Sequence, residues 1–486
     1  ITTNMRTLTT LEKWSYAIGN MPFAVKDAAF INFVVFYYTQ VQGLSGSLAG
    51  LAAFIAISWD AVTDPIVGSW SDNFRSRWGR RHPLLLAGGL PTALLFLGLF
   101  APPDSLGDMG TFLWLTGVSI LLRTFLTIYF IPYSAMGAEL STDYDERTVI
   151  AKSRVTMAWL AGMLLPAFAF IVIFQSDNGT DGRLLAGNYQ TYGELSALLA
   201  ALTILFCVWG TRTVISRLPQ PPAQAGGQIL RKTLHDFRTA FGNRNFRISI
   251  GSNLAFGMAA GIYTTLALYL GTYFWEFSSE QLAGLVVPTA IATVLAFAAM
   301  GRLGQRYDKP TLLAAACLGI AINAVWFTGA RLLDLLPANG HPLIYALQCL
   351  NTLLGVFTIV ALQIIGVSLL ADILDEHELD TGLRQEGVFF AAGTFIGKAT
   401  TGVGALLAGI IFDVAGLKSG AAPGEVAGST LSILGWFTIS VIMALAVIAF
   451  FFARRLRLSR DDHTRIRDAL EIRATLAQAE GSAATP

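Results

Sequence analysis

Apolar runs long enough to cross a bilayer recur twelve times along this chain, and they constrain its fold more than any other feature. A helix needs about 20 such residues to span the hydrocarbon core. The runs fall near 13–40, 45–70, 84–101, 111–138, 151–174, 193–215, 247–274, 281–301, 311–334, 342–371, 387–415 and 428–453. No alternating pattern competes, and in lipid a run of this kind satisfies its own backbone as a helix. The first run, with Lys26 and Asp27 inside it, reads as a spanning helix and not a cleaved leader. Only 13% of the 486 residues are charged, against roughly 25% in an average soluble protein. That is too few to coat a water-soluble surface. The three cysteines (Cys207, Cys317, Cys349) lie in apolar runs and give neither a disulfide framework nor metal-ligand spacing. The expected fold class is an all-α polytopic membrane protein with 12 transmembrane helices.

The position of the charges sets orientation, because Lys and Arg concentrate in cytoplasmic loops. Basic clusters follow the second run (Arg75, Arg77, Arg80, Arg81), the sixth (Arg217, Arg231, Lys232, Arg238), the eighth (Arg302, Arg306, Lys309) and the twelfth (Arg454, Arg455, Arg457). The alternate loops are poor in them, so both termini are expected to be cytoplasmic. The net charge of +1 gives no pull toward nucleic acid.

Pro219, Pro221, Pro222, Gly226 and Gly227 mark a linker that divides the runs six and six. The halves echo each other. Gly68 to Asp72 recurs as Gly301 to Lys309, and Asp143 to Arg147 recurs as Asp375 to Glu378, both at an offset of about 233 residues. Parallel six-helix halves are the repeat of a major facilitator fold. The expected organisation is an N-terminal six-helix bundle over 1–215, a cytoplasmic linker over 216–246, a C-terminal six-helix bundle over 247–454 and a cytoplasmic tail over 455–486. The tail has helical spacing at Ile466, Leu470 and Leu476, and 481–486 reads as irregular.

A charge at a helix centre costs roughly 2.5–3.5 kcal/mol on insertion scales, so charges inside the runs point to function. Asp60 and Asp64 are four residues apart, on one helix face. Two carboxylates there repel unless a cation sits between them, which suits a Na⁺ site or a proton-carrying pair. Lys26 and Asp27 point about 100° apart and need not pair with each other. Asp27 is placed to accept hydrogen bonds from a polar solute. Arg154 and Arg123 offer a planar donor fork or a counter-ion for Asp27 or Asp60, with a reach toward an interface as the other reading of Arg123, and Lys398 stands deep in the eleventh run. Asp72, Arg77, Arg80 and Asp308 in the two repeat loops are expected to serve as gating or structural latches on the cytoplasmic side. Trp59, Tyr129, Tyr133, Tyr263 and Trp275 are read as interface anchors or as platforms for a ring-shaped ligand. No phosphate-binding loop, metalloprotease motif or nucleophile elbow is present, so an enzyme is not expected.

These residues resemble the glycoside–pentoside–hexuronide:cation symporters, the melibiose permease-like family of the major facilitator superfamily. The resemblance is carried by Lys26-Asp27, Tyr37 to Thr39 with Gly43 to Ser45, Trp59 to Pro65, Ser76 to Gly79, Ile131-Pro132, Glu146-Arg147 with Arg154, Ala371 to Ile373, and Lys398, in family order. It implies that Asp60 and Asp64 bind the coupling cation, with Thr63 and Thr127 as supporting oxygens. It also implies that Asp27 and Arg154 bind the sugar and that Lys398 matches the helix-11 lysine. With Lys26 and Thr394 these three make the expected substrate-binding set. Two positions depart from melibiose permease: Phe130 replaces an Asp before Ile-Pro, and Ser134 replaces a Trp. The run Ile131 to Ala135 also resembles the related sodium-dependent lysophosphatidylcholine symporters. The expected activity is therefore cation-coupled symport of a glycoside-like solute by alternating access, with Na⁺ or H⁺ as coupling ion and no other cofactor. Lysophospholipid symport on the same fold is the alternative, and a non-transporting sensor or scaffold is the rival from another class. A monomer in a bacterial inner membrane is expected.

Overall fold

The computed structural model describes residues 8–141, 143–217, 241–382 and 385–483. Most of the linker expected over 216–246 lies outside them. The described backbone is helical, with no strand beyond one isolated bridge between Asp177 and Thr180. Eleven helices among the described residues are long and apolar enough to cross a membrane.

The remaining expected span, 13–40, is helix broken into pieces. These are α1 (Thr10–Ile18), α2 (Met21–Ala29) and π turns at Phe30–Val34 and Tyr37–Val41. Pro22 stands in the first turn of α2, where its missing N–H and fixed φ prevent α1 from continuing unbroken. Neighbouring side chains donate to carbonyls at the break. Tyr129 Oη donates to Gly19 O at 2.6 Å, and Tyr133 Oη donates to Tyr16 O at 2.7 Å. Broken helices persist in lipid only with such replacement partners.

The other helices are α3 (Gly46–Asn73), α4 (His82–Leu99), α5 (Asp108–Glu139), α6 (Tyr144–Phe168), α7 (Ala186–Gly210), α8 (Arg244–Tyr269), α9 (Ser279–Gly284), α10 (Val286–Arg306), α11 (Lys309–Leu332), α12 (Pro342–Thr381), α13 (Glu386–Ala415), α14 (Gly428–Arg454) and α15 (Arg460–Ala483). They form two compact units. The first takes the described residues up to 217 with 261–286 and 401–434, and the second takes 241–260, 287–400 and 435–483.

Within the first unit, the C-terminal part of α13 lies against the start of α3 at backbone distance. A Cβ on Gly409 would stand 2.0 Å from Gly46 O, and one on Gly50 would stand 2.8 Å from Ala405 O. Asp413 caps α3 there, accepting from Gly46 N at 2.7 Å and Ser47 N at 2.8 Å. A carboxylate at a helix start meets unpaired N–H groups and the positive end of the dipole. Thr39 Oγ1 lies 2.5 Å from Tyr269 Oη, and Tyr273 Oη donates to Gln40 Oε1 at 2.6 Å. Within the second unit, Phe246, Leu313, Cys317, Leu369, Ile373, Phe389 and Ala449 share one apolar core. None of the three cysteines forms a disulfide.

The repeat seen in the sequence recurs in local structure. The π turn at Tyr37–Val41 returns at Leu270–Phe274, at the same offset of about 233 residues. Glu146 accepts from Leu8 N at 3.0 Å in the first unit. In the second, Glu376, three residues off that register, accepts from the amides of Asn243 and Asn245 at 2.8–3.1 Å. Each acidic residue thus ties down the approach to the first helix of its own half. The tail forms α15 as its spacing predicts, but the first three residues of the end expected to be irregular over 481–486 are helical. Residues 481–483 continue the hydrogen-bonding of the preceding turns, and 484–486 lie outside the described residues.

Candidate functional site

Asp60 and Asp64 lie one turn apart on α3, ahead of and beside Pro65. Pro65 has no N–H to offer the preceding turn. The helix facing them is α5. Arg123 Nη1 donates to Asp60 Oδ2 at 2.5 Å, and Thr127 Oγ1 donates to Asp64 Oδ1 at 3.1 Å. Asp60 is 8% exposed and Arg123 is 5% exposed. Of the two readings its sequence position allowed, Arg123 therefore takes the counter-ion one, to Asp60, and does not run to an interface. A carboxylate within reach holds it in the interior, with its guanidinium carbon 4.6 Å from the Phe30 ring centroid. Asp60 Oδ1 and Arg123 Nε are buried without a hydrogen-bond partner. Thr63 gives its proton to its own helix, at Trp59 O (3.0 Å) and Asp60 O (3.4 Å), and keeps its oxygen lone pairs. Trp59 Nε1 donates to Thr124 Oγ1 at 2.8 Å, a further tie between α3 and α5. No group of three or more His, Cys, Asp or Glu suited to a metal ion occurs among the described residues. The acidic pair with one guanidinium carries a formal charge of −1, which one monovalent ion would balance.

Asp27 and Lys26 pair with each other, which their adjacent positions did not require. Lys26 is buried with its Nζ 4.3 Å over the Phe23 ring, whereas Asp27 is half-exposed. Phe23 in turn stacks on Phe130, with ring centroids 4.3 Å apart. Arg154 Nη1 donates to Ser134 Oγ at 3.0 Å and to Tyr16 Oη at 3.5 Å, and its Nε is buried without a partner. Both departures from the family pattern are thus taken up locally, one by an aromatic stack and the other by a hydroxyl on Arg154. Lys398 is half-buried and Thr394 exposed, both on α13 within the second unit.

The loop residues find partners within their own units. Asp72 pairs with Arg81 at 3.1 Å, and Arg80 and Arg81 both pair with Glu139 at the end of α5. Arg77 is exposed over Trp78. Asp308 accepts from Arg460 N at 3.1 Å at the start of α15. Lys309 pairs with Asp372 at 2.6 Å, and His463 lies 3.2 Å from Asp375. Sequence reasoning passed over Glu139. Its signal was its place at a helix end opposite a basic loop, at about the repeat offset from Asp372. Tyr129 and Tyr133 are fully buried and stacked on each other, where they serve the broken first span and not an interface. Trp275 is buried as well, while Tyr263 is half-buried.

Two acidic residues one turn apart within an apolar spanning helix, faced by an arginine and a threonine of the helix beside it, form the polar centre of the first unit. Residues 15–460 match the family described as MFS/sugar transport protein, and the chain belongs to that family. It is 25% identical to a putative glycoside/cation symporter, YagG, of Escherichia coli K12, over 84% of this chain and 83% of that protein. It is 25% identical to an uncharacterized symporter of Synechocystis over 95% and 96% of the two chains. A sodium-dependent lysophosphatidylcholine symporter of Danio rerio is 31% identical over 31% of this chain and 28% of that protein. Among solved structures, the D-xylose-proton symporter superposes with a TM-score of 0.59 at 16% identity, covering 90% of this chain and 97% of the other. The nucleoside transporter NupG gives 0.59 at 13%, covering 90% and 99%. At these identities the two structures speak to the fold alone. The protein is a multi-pass integral membrane protein of the major facilitator fold, and the relatives named here are symporters and transporters.

Proposed function

We propose that this protein is a cation-coupled symporter of a glycoside-like solute, with the coupling ion at Asp60 and Asp64. The observation that carries the reading is the pair itself: two carboxylates one turn apart within α3, faced by the Thr127 hydroxyl, with Asp60 Oδ1 buried and unpartnered. Buried polar oxygens are normally satisfied, and an orphan inside a spanning helix marks a place where a ligand belongs. Thr63 and Thr127 supply neutral oxygens, and oxygen ligands suit a hard monovalent ion. The site takes Na⁺ or a proton and needs no other cofactor. On the solute side, Asp27 and Lys26 offer an acceptor and a donor, and the Arg154 Nε–H lacks a partner. Lys398 and Thr394 complete the proposed set from α13. Relatives named as a putative glycoside/cation symporter, an isoprimeverose transporter and a lactose permease support a sugar-like solute. Twelve crossings, cytoplasmic termini, six-helix halves with Asp72, Arg77, Arg80 and Asp308 as structural residues of the repeat loops, and a monomer in a bacterial inner membrane complete the reading.

Coupling requires only that each ligand raise the other's affinity by the same factor. The test is uptake into proteoliposomes driven by Na⁺ or pH gradients, for wild type and Asp64→Asn. Uptake by the variant that remains fully cation-dependent would refute the assignment. A second reading, symport of a lysophospholipid, is favoured by one observation. The Phe23–Phe130 stack puts apolar surface beside Lys26 and Asp27 where a sugar-binding carboxylate would otherwise stand. Thermal stabilisation by sugar and lysophospholipid panels separates the two, since a ligand that binds the folded state raises its melting point.

A further inference from the structure

We propose that Arg123 is a tethered cation that competes with the coupling ion for Asp60 and so sets the ion affinity of the site. The inference rests on the cation-coupled reading of Asp60 and Asp64. Arginine normally meets a carboxylate with two parallel hydrogen bonds from its planar fork. Here it uses one. Nη1 reaches Asp60 Oδ2 at 2.5 Å, while Asp60 Oδ1 and Arg123 Nε are both buried without a partner. The remaining hold on the guanidinium is the face of Phe30, 4.6 Å from its carbon. A one-point pair has half of its carboxylate available and half of its fork unused, so a small ion can enter at Oδ1 while the guanidinium swings off Oδ2 onto the ring. A structural ion pair would be expected to close both gaps, because each unpaired buried atom carries the cost of its lost hydration.

The charge count points the same way. Asp60, Asp64 and Arg123 sum to −1, so the resident guanidinium already does part of what a bound ion would do, and the ion must displace it or share with it. Arg123 is on this argument a specificity-determining residue. Neutralising it raises the site to −2 and removes the competitor, which strengthens ion binding.

The experiment measures the Na⁺ concentration that half-maximally raises the melting temperature of the purified protein, with choline as inert control, at one fixed pH. In Arg123→Gln the half-point is expected to fall by about tenfold or more, equivalent to about 1.4 kcal/mol of tighter binding. Asp64→Asn should abolish the response. In Arg123→Ala, millimolar guanidinium should stabilise the protein and push the Na⁺ half-point back up, while wild type does not respond to it. That competition is a readout a merely structural arginine would not move, and it remains measurable if Arg123→Gln folds poorly. A monodisperse Arg123→Gln whose half-point equals or exceeds that of wild type overturns the proposal, as does Arg123→Ala in which guanidinium leaves the Na⁺ half-point unchanged. If wild type responds through Asp64 and Arg123→Gln merely matches it, the role of Arg123 falls and the cation site stands. If none of the proteins responds to Na⁺, both fall for that ion.

Discussion

The two carboxylates of α3 differ by one turn in sequence, yet their removal should have unequal consequences. Asp60 is buried against Arg123 at 2.5 Å, whereas Asp64 is half-buried and accepts from Thr127 at 3.1 Å. At the Asp60–Arg123 separation, unit charges attract by about 7 kcal/mol at an effective dielectric of about 20. Desolvation cancels much of that, but removing one member strands the other, which costs about 3–5 kcal/mol. Asp60→Asn should lose about that much. Asp64→Asn keeps a side-chain oxygen for Thr127 and should lose at most about 1 kcal/mol, the usual net worth of a hydrogen bond. Pairing Asp60→Asn with Arg123→Gln removes both charges, so the double variant should recover most of the stability lost by Asp60→Asn, giving a coupling energy of about 2 kcal/mol or more. The assay is a set of thermal melts of the four purified proteins in one detergent with choline as the only added cation. Equal losses from Asp60→Asn and Asp64→Asn, or a double variant no more stable than Asp60→Asn, would refute the assignment of the buried pair.

Three further outcomes follow from the packing. Gly409→Val should destabilise by about 1–3 kcal/mol through overpacking, because its Cβ would meet Gly46 O at 2.0 Å, whereas Gly366→Ala, which meets nothing within 4 Å, should not; paired melts check this. Glu139→Gln should loosen the loop at 74–81, because Arg81 loses its 2.6 Å partner, and faster hydrogen exchange there is the readout. At the start of α15, hydrogen bonds from Ser459 hold the Asp462 carboxyl below its ordinary range. Its contribution is present above the ordinary aspartate value and disappears as pH falls through the lowered one, so amide exchange at 459–463 should quicken in acid.

The spanning helices were legible because hydrophobic length is a property of one segment at a time. The same holds for the shared face of Asp60 and Asp64, which helical spacing alone dictates. What spacing cannot supply is the neighbour. Arg123 is 63 residues from Asp60, and only the packing of α5 on α3 selects that pairing over Asp27 or an interface. The break at Gly19–Asn20 was masked by the apolar run around it, although Pro22 marks it in hindsight. The π turns carry no residue signature, and their partners in space come from distant segments.

Gln40 and Tyr273 share a hydrogen bond, and each stands at the other's position in the internal repeat, inside the matched π turns. In a two-fold dimer, the residues that touch their own copies are those on the symmetry axis. By the same geometry this bond marks where the pseudo-symmetry axis relating the two repeated helices runs. Because the two positions are equivalents that meet, a change at either one breaks the same single contact, and the repeat supplies no second copy of it.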